Sequence, residues 1–307
     1  MSEFLMLSLV PMLVGILAAV ICALLGNFLV LRRQSLVGDA VSHVALPGIV
    51  AAFLLTGTIA AVPMMLGAAA SAIVTVALIE LVRRVGRIEP GAAMGVVFTA
   101  VFALGVLVLE QSDTSTVHLD VEHALYGNLE SLIWFAGATG PSALVDPAAL
   151  GELPPQLGRL AVVLVVVAAF LAAAWKELFI GTFDPGFARA IGARPGLVGM
   201  ALVVLVAVAA VAAFDAVGSI IVIAMFICPA AAARLMTDRL APQLAWSVGF
   251  AVASAIVGYV AAGYGPLWLG FADSVSAAGM IATVSGLILA VACLAAPRRH
   301  GNKPQAA

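Results

Sequence analysis

Asn27-Phe-Leu-Val-Leu-Arg-Arg-Gln-Ser-Leu-Val-Gly-Asp-Ala-Val-Ser-His-Val-Ala-Leu-Pro-Gly48 holds the end of one apolar run, a basic turn and the start of a second apolar run. Asp39 and His43 stand four residues apart in the second run, among small and apolar neighbours. On a helix, positions i and i+4 share one face, about 6 Å apart along the axis. A carboxylate and an imidazole on a lipid-embedded helix are costly unless they pair or act. Spacing alone leaves two readings open. One is a buried ion pair that fixes helix packing. The other is an oxygen-and-nitrogen ligand pair of the kind first-row divalent metals accept. Gly38, Ala40, Ser42 and Ala45 permit close helix approach, which suits a packing face as well.

The whole chain shares this apolar character. Its 307 residues are 64% hydrophobic and 10% charged, with a mean hydropathy of +1.19. That excludes an ordinary soluble domain and predicts an all-α polytopic membrane protein. The N-terminus lacks basic residues and its apolar stretch is long enough to span, so no cleavable signal peptide is expected. Cys22, Cys228 and Cys293 all fall in apolar runs, too far apart for a local metal motif; buried small side chains are the default reading.

Apolar runs long enough to span lie near 5–31, 37–57, 59–82, 92–111, 159–179, 197–214, 217–236, 244–262 and 276–296. Eight to ten spans are expected, because the junctions at Arg32–Gln34 and at Asp215 are short enough for re-entrant breaks. With nine, the basic clusters at 32–33, 83–87, 176–194, 234–239 and 298–303 fall on one side, which the positive-inside rule makes cytoplasmic. The N-terminus is then outside and the C-terminus cytoplasmic; Arg159 alone falls on the other side. Residues 1–299 form one transmembrane domain, and 300–307 a disordered polar tail.

The outer connection at about 112–158 carries no Lys or Arg but Asp113, Asp120, Glu122, Glu130, Asp146 and Glu152. Within it, Ala124–Phe135 reads as a half-helix or re-entrant segment, and the stretch through Pro154-Pro155 as a surface loop. Asp113, His118, Asp120, Glu122 and His123 are either a solvated loop or a cation-attracting, receptor-docking surface. Glu80, three and four residues before Arg83 and Arg84, predicts a helix-end ion pair. Pro47-Gly48 and Pro229 read as bends or breaks beside a path, or as tolerated packing kinks.

No Gly-x-x-x-x-Gly-Lys-Ser/Thr occurs, so the chain builds no P-loop for ATP. It has neither His-Glu-x-x-His nor Gly-x-Ser-x-Gly, which leaves hydrolase chemistry without a carrier. Gly181-Thr-Phe-Asp-Pro-Gly-Phe-Ala-Arg-Ala-Ile-Gly-Ala-Arg-Pro195 predicts a helix of about two turns, with Asp184 as cap, Pro185 at the first position, Gly192 ending it and Pro195 barring continuation. It is a rigid connector or a docking helix that transmits motion from a cytoplasmic subunit.

Three stretches together resemble one family: Asn27–Gly48, the loop at Asp184–Gly192, and Val217-Gly-Ser-Ile-Ile-Val-Ile-Ala-Met-Phe-Ile-Cys-Pro-Ala-Ala-Ala-Ala-Arg234. The chain resembles a permease subunit of the manganese/zinc/iron ABC importers that work with a cluster A-I receptor. His118–Asn128 and Ala296–Gly301 look like the manganese-leaning branch. The resemblance implies a permease bundle in a bacterial plasma membrane, paired with a second copy or a paralogue. Two cytoplasmic ATPases would dock on Asp184, Phe187, Ala188 and Gly192, and an extracytoplasmic receptor would deliver the metal. It places Asp39 and His43 in the translocation path, with His123, Asp215 and Cys228 as further candidates for metal contact. Cys228 and Asp215 depart from the family pattern. No cofactor is expected on this chain itself; ATP and Mg²⁺ belong to the partner ATPases. No nucleic-acid partner and no enzymatic activity of its own are expected. The rival reading is a self-sufficient secondary metal transporter or channel using Asp39 and His43 as a proton-coupled site.

Overall fold

The computed structural model describes residues 2–58, 61–111, 129–268, 270 and 275–296. Among these, nine helices are long and apolar enough to cross a membrane. The chain is helical from Ser2, passes through a π-helical stretch at Leu5–Leu9, and continues as α1 (Val10–Leu31). Three further spans follow: α2 (Leu36–Thr56), α3 (Ala61–Gly86) and α4 (Pro90–Gln111). A short helix, α5 (Pro147–Gly151), precedes α6 (Pro155–Ala173), α7 (Trp175–Phe183) and α8 (Pro185–Ala190). The remaining spans are α9 (Pro195–Val217), α10 (Ser219–Met236), α11 (Leu240–Trp268) and α12 (Ala277–Ala295).

Helix α1 is the axis of the bundle. Val14, Ala18, Ile21, Leu25 and Phe28 are completely buried, as expected of a helix that is apolar on every side. It packs on α10 and α11 on one flank and on α6 and α9 on another. Helices α2, α3 and α4 form one lobe, and α10, α11 and α12 the other. Gly26 lets α1 meet the backbone of α10: a Cβ there would overlap the Phe226 carbonyl oxygen.

The first helix ends in a Schellman motif, in which the Gln34 amide donates to the Leu29 carbonyl (2.8 Å) and the Arg33 amide to the Val30 carbonyl (3.1 Å). Arg33 takes the left-handed position usually given to glycine, at φ 56°. This tight reversal makes α1 and α2 two spans with no re-entrant break. Pro47 and Pro229 break nothing: α2 and α10 run continuously through them. The ring of Pro47 is received by Gly105 of α4, where a Cβ would overlap it.

Two boundaries differ from the sequence expectation. The fifth span ends at Ala173, and α7 is a separate helix after a break at Ala174. The connection after Phe135 is an ordered cap rather than a surface loop, with 3₁₀ turns at Phe135–Thr139 and Pro141–Leu144 leading into α5, and the described end of the expected half-helix carries a 3₁₀ turn at Leu129–Ser131. Trp134 is buried in this cap, its indole N–H donating to the Ala149 carbonyl at 2.9 Å and its amide to the Met6 carbonyl at 3.0 Å. Glu130 caps α12, accepting from the Ala277 amide at 2.6 Å. The first part of the expected re-entrant segment, and the tail at 300–307, lie outside the described residues.

Candidate functional site

Asp39 lies in the first turn of α2 and His43 one turn further on. His43 Nε2 and Asp39 Oδ1 are 3.6 Å apart, with the side chains 39% and 33% exposed. That separation is too long for a hydrogen bond. It suits two donors on one ion: with metal–ligand distances of about 2.1 Å, the two atoms subtend an angle of about 120°. The imidazole is held by two rings of α4. Phe98 stacks on it at a centroid distance of 5.7 Å and an interplanar angle of 15°, and Phe102 meets it edge-on at 5.5 Å and 71°. Phe98 and Phe102, themselves four apart, form a clamp that restricts rotation of the His43 ring.

The other candidates are not gathered at this pair. Asp215 lies near the end of α9 remote from Arg32, about 30 Å along the helix from Pro195. There its carboxylate pairs with Arg159 Nη1 at 2.9 Å, and the same nitrogen donates to Met65 Sδ at 2.7 Å. Arg159, the one basic residue out of register with the others, thus has a partner on its own side. Cys228 neighbours Ser285 of α12. Phe226, which packs on Gly38, is two residues earlier, so Cys228 points about 200° away from α2. His123 lies outside the described residues. Among the described residues no three His, Cys, Asp or Glu side chains converge.

The loop at 184–192 folds as its residues predict. Asp184 Oδ1 accepts from the Phe187 amide at 2.8 Å, and Pro185 opens α8. Gly192, at φ 82°, ends it in a second Schellman motif: the Ala193 amide donates to the Ala188 carbonyl (3.0 Å) and the Gly192 amide to the Arg189 carbonyl (3.1 Å). Ala188 is buried, whereas Phe183, Phe187 and Ile191 are about half exposed. Arg32 reaches this region, its Nε donating to Thr182 Oγ1 at 3.0 Å while its guanidinium lies over Gly199 of α9. Burial pushes the Arg32 guanidinium below its usual pKa.

The sequence profile of the ABC 3 transport family matches residues 3–133 and 153–296. The chain belongs to the ABC 3 transport family. This permease is 38% identical over 283 residues to the manganese transport system membrane protein MntD of Bacillus subtilis, covering 92% of this chain and 90% of that protein. It is 35% identical over 294 residues to the zinc transport system membrane protein TroD of Treponema pallidum, covering 94% and 74%. The solved structure of PsaBC from Streptococcus pneumoniae, in complex with a Fab, superposes with a TM-score of 0.70 at 25% identity, covering 94% of the permease and 91% of that chain.

Sequence reasoning missed two features of the permease. One is the aromatic clamp on His43, whose signal was the i, i+4 spacing of Phe98 and Phe102. The other is a buried polar knot between α1 and α11. Asn27 Nδ2 donates to Ser247 Oγ (2.6 Å) and to the Ala23 carbonyl (2.7 Å), while Gln243 Nε2 donates to Asn27 Oδ1 (2.9 Å). All three side chains are fully buried.

Proposed function

We propose that this permease is the membrane subunit of an ATP-driven importer of a divalent metal, with Asp39 and His43 as a transient relay on the path. The observation that carries the reading is the pair itself: an oxygen and an imidazole nitrogen 3.6 Å apart, partly open, with the ring fixed by Phe98 and Phe102. Family membership supplies the context. Two donors per chain fall short of the four to six that such ions take. A second copy or a paralogue, meeting this one across α2, would complete the set with its own carboxylate and imidazole. Mixed oxygen and nitrogen donors suit Mn²⁺, Zn²⁺ and Fe²⁺ alike, and the two relatives named for manganese and zinc divide the same way.

The arginine-rich end of the bundle is read as cytoplasmic, which puts the N-terminus outside and the C-terminus inside the plasma membrane. Helix α8, with Phe187 and Ile191 exposed and Asp184 and Gly192 fixing its ends, is the docking element for one of two ATPases. A metal-binding receptor would deliver the ion at the opposite end, above the cap built on Trp134.

The test is uptake of Mn²⁺, Zn²⁺ and Fe²⁺ into vesicles carrying the permease and its ATPase. Asp39→Ala and His43→Ala should each abolish ATP-dependent uptake while the assembled complex still elutes as one species. Uptake near the wild-type level in both variants would refute the relay.

A further inference from the structure

We propose that the cavity at the arginine-rich end of the bundle binds an anionic phospholipid, its phosphate on an arginine rim and its chain along an apolar wall. The cavity holds about 640 Å³, within the range of about 300–1,000 Å³ usual for ligand sites. It lies between the α1–α2 turn, α3 and the segment from α7 to α9.

Charge is the first argument. Arg32, Arg33, Arg83, Arg84 and Arg189 line the cavity against a single acid, Glu80. Arg83 Nη2 and Arg84 Nε both contact the same Glu80 oxygen, at 2.7 and 2.6 Å. The rim thus keeps an excess of four positive charges. Guanidinium forks match phosphate oxygens in geometry as well as charge.

Unmet hydrogen bonding is the second. Among the described residues, Arg83 Nε and the hydroxyl of Thr75 are buried without a partner. Thr75 is 2% exposed and lines the cavity. It lies about two turns deeper on α3 than Arg83, on the same face, towards the ester oxygens of a lipid whose phosphate is at the rim. A buried polar group left unpaired costs about 1–3 kcal/mol, and an acceptor-rich ligand removes that cost.

The shape of the lining selects lipid over a free anion. Inward of the rim the wall is apolar, with Val37, Ala40 and Val44 of α2 facing Val76 and Ile79 of α3. Inorganic phosphate would use only the rim. Nor is the cavity a metal exit. Val37, Ala40 and Val44 are centred about a third of a turn around α2 from Asp39 and His43, and an arginine rim repels cations. Basic pockets at the cytoplasmic ends of spanning helices are a known form of lipid headgroup site. Pro185 and Arg189 of α8 also line the cavity, so the bound lipid would bridge the foot of α3 to the docking helix. That consequence rests on the coupling role proposed for α8; the binding does not.

The full-length permease is reconstituted in nanodiscs of phosphatidylcholine, with or without phosphatidylglycerol, and examined by native mass spectrometry and thermal melting. A third arm adds inorganic phosphate to the phosphatidylcholine discs. The wild type should retain one phosphatidylglycerol per chain through delipidation and melt higher with it. The double variant Arg83→Gln/Arg84→Gln should lose that lipid, and Thr75→Val should retain it several-fold less well. Arg239→Gln, in the α10–α11 turn outside the cavity, should behave as wild type. Arg33→Gln, in an exposed turn, tests the rim without touching a helix and should also weaken retention. Equal retention in wild type and the rim variants, or equal retention of phosphatidylcholine, would overturn the proposal. Phosphate alone giving the full stabilisation would replace the lipid by a free anion. No metal or ATPase is present, so failure here leaves the transport reading standing, and the uptake test leaves this one standing.

Discussion

Gly48 of α2 and Gly67 of α3 approach so closely that a Cβ on either would overlap the carbonyl oxygen of the other. One turn away, Ser71 Oγ donates to the Val44 carbonyl at 2.8 Å across the same seam. Small residues that let backbones meet are a common basis of helix association in lipid. Gly48→Ala or Gly67→Ala should lower stability by about 1–3 kcal/mol through overpacking, read as a fall in melting temperature of the purified permease. Gly95→Ala, where nothing lies within 4 Å of the added atom, should not.

The clamp on His43 predicts a variant that folds but transports poorly. Phe98→Ala removes the stacked ring and frees the imidazole to turn away from Asp39. Metal uptake should drop about tenfold, the order seen when a ligand's supporting group is removed, with melting temperature changed much less than uptake. Phe98→Tyr, which keeps the ring, should restore most of it.

The Asn27 knot is structural, and its loss should be costly. Asn27→Leu leaves Gln243 and Ser247 buried with no partner from α1, a penalty of about 1–3 kcal/mol. Melting should register it in full. Ser247→Ala removes one partner of three and should cost less.

Asp215 and Arg159 should behave as a pair in stability rather than as a metal site. Both side chains are about one third exposed, so solvent screening limits the pair to about 0.2–1 kcal/mol. Double-mutant melting of Arg159→Gln and Asp215→Asn should show that coupling. Asp215→Asn should take up metal at the wild-type rate, and a large loss would return Asp215 to the path.

The ends of α8 can be perturbed without touching a span. Asp184→Ala removes the cap on Phe187, costing the helix about 0.5–2 kcal/mol. Gly192→Val forces a branched residue into φ 82°. Both should weaken retention of the ATPase in pull-down, and ATP-dependent uptake with it, while the permease alone melts as wild type.

Local features were legible in the sequence. Apolar run length gave the nine spans, and residue chemistry within single turns predicted the Asp184 cap, the Gly192 stop and the Glu80 pairs with Arg83 and Arg84. What escaped depends on contacts between distant segments. Asn27 meets Gln243 and Ser247, 216 and 220 residues away, and no local pattern encodes that choice. Asp215 stood as a candidate metal contact because its cation, Arg159, sits on another helix. The cap around Trp134 read as loop because its many Pro and Gly residues report chain reversals, not the packing of one aromatic side chain beneath them.

Arg32 ties the turn after α1 to Thr182, two residues ahead of the α8 cap. That one hydrogen bond joins the turn that precedes the Asp39–His43 helix to the segment that leads into α8. A displacement of α8 that carries Thr182 costs this bond unless the base of α2 follows it. On the coupling role proposed for α8, its movement would therefore be felt, through one side chain, at the helix that carries Asp39 and His43.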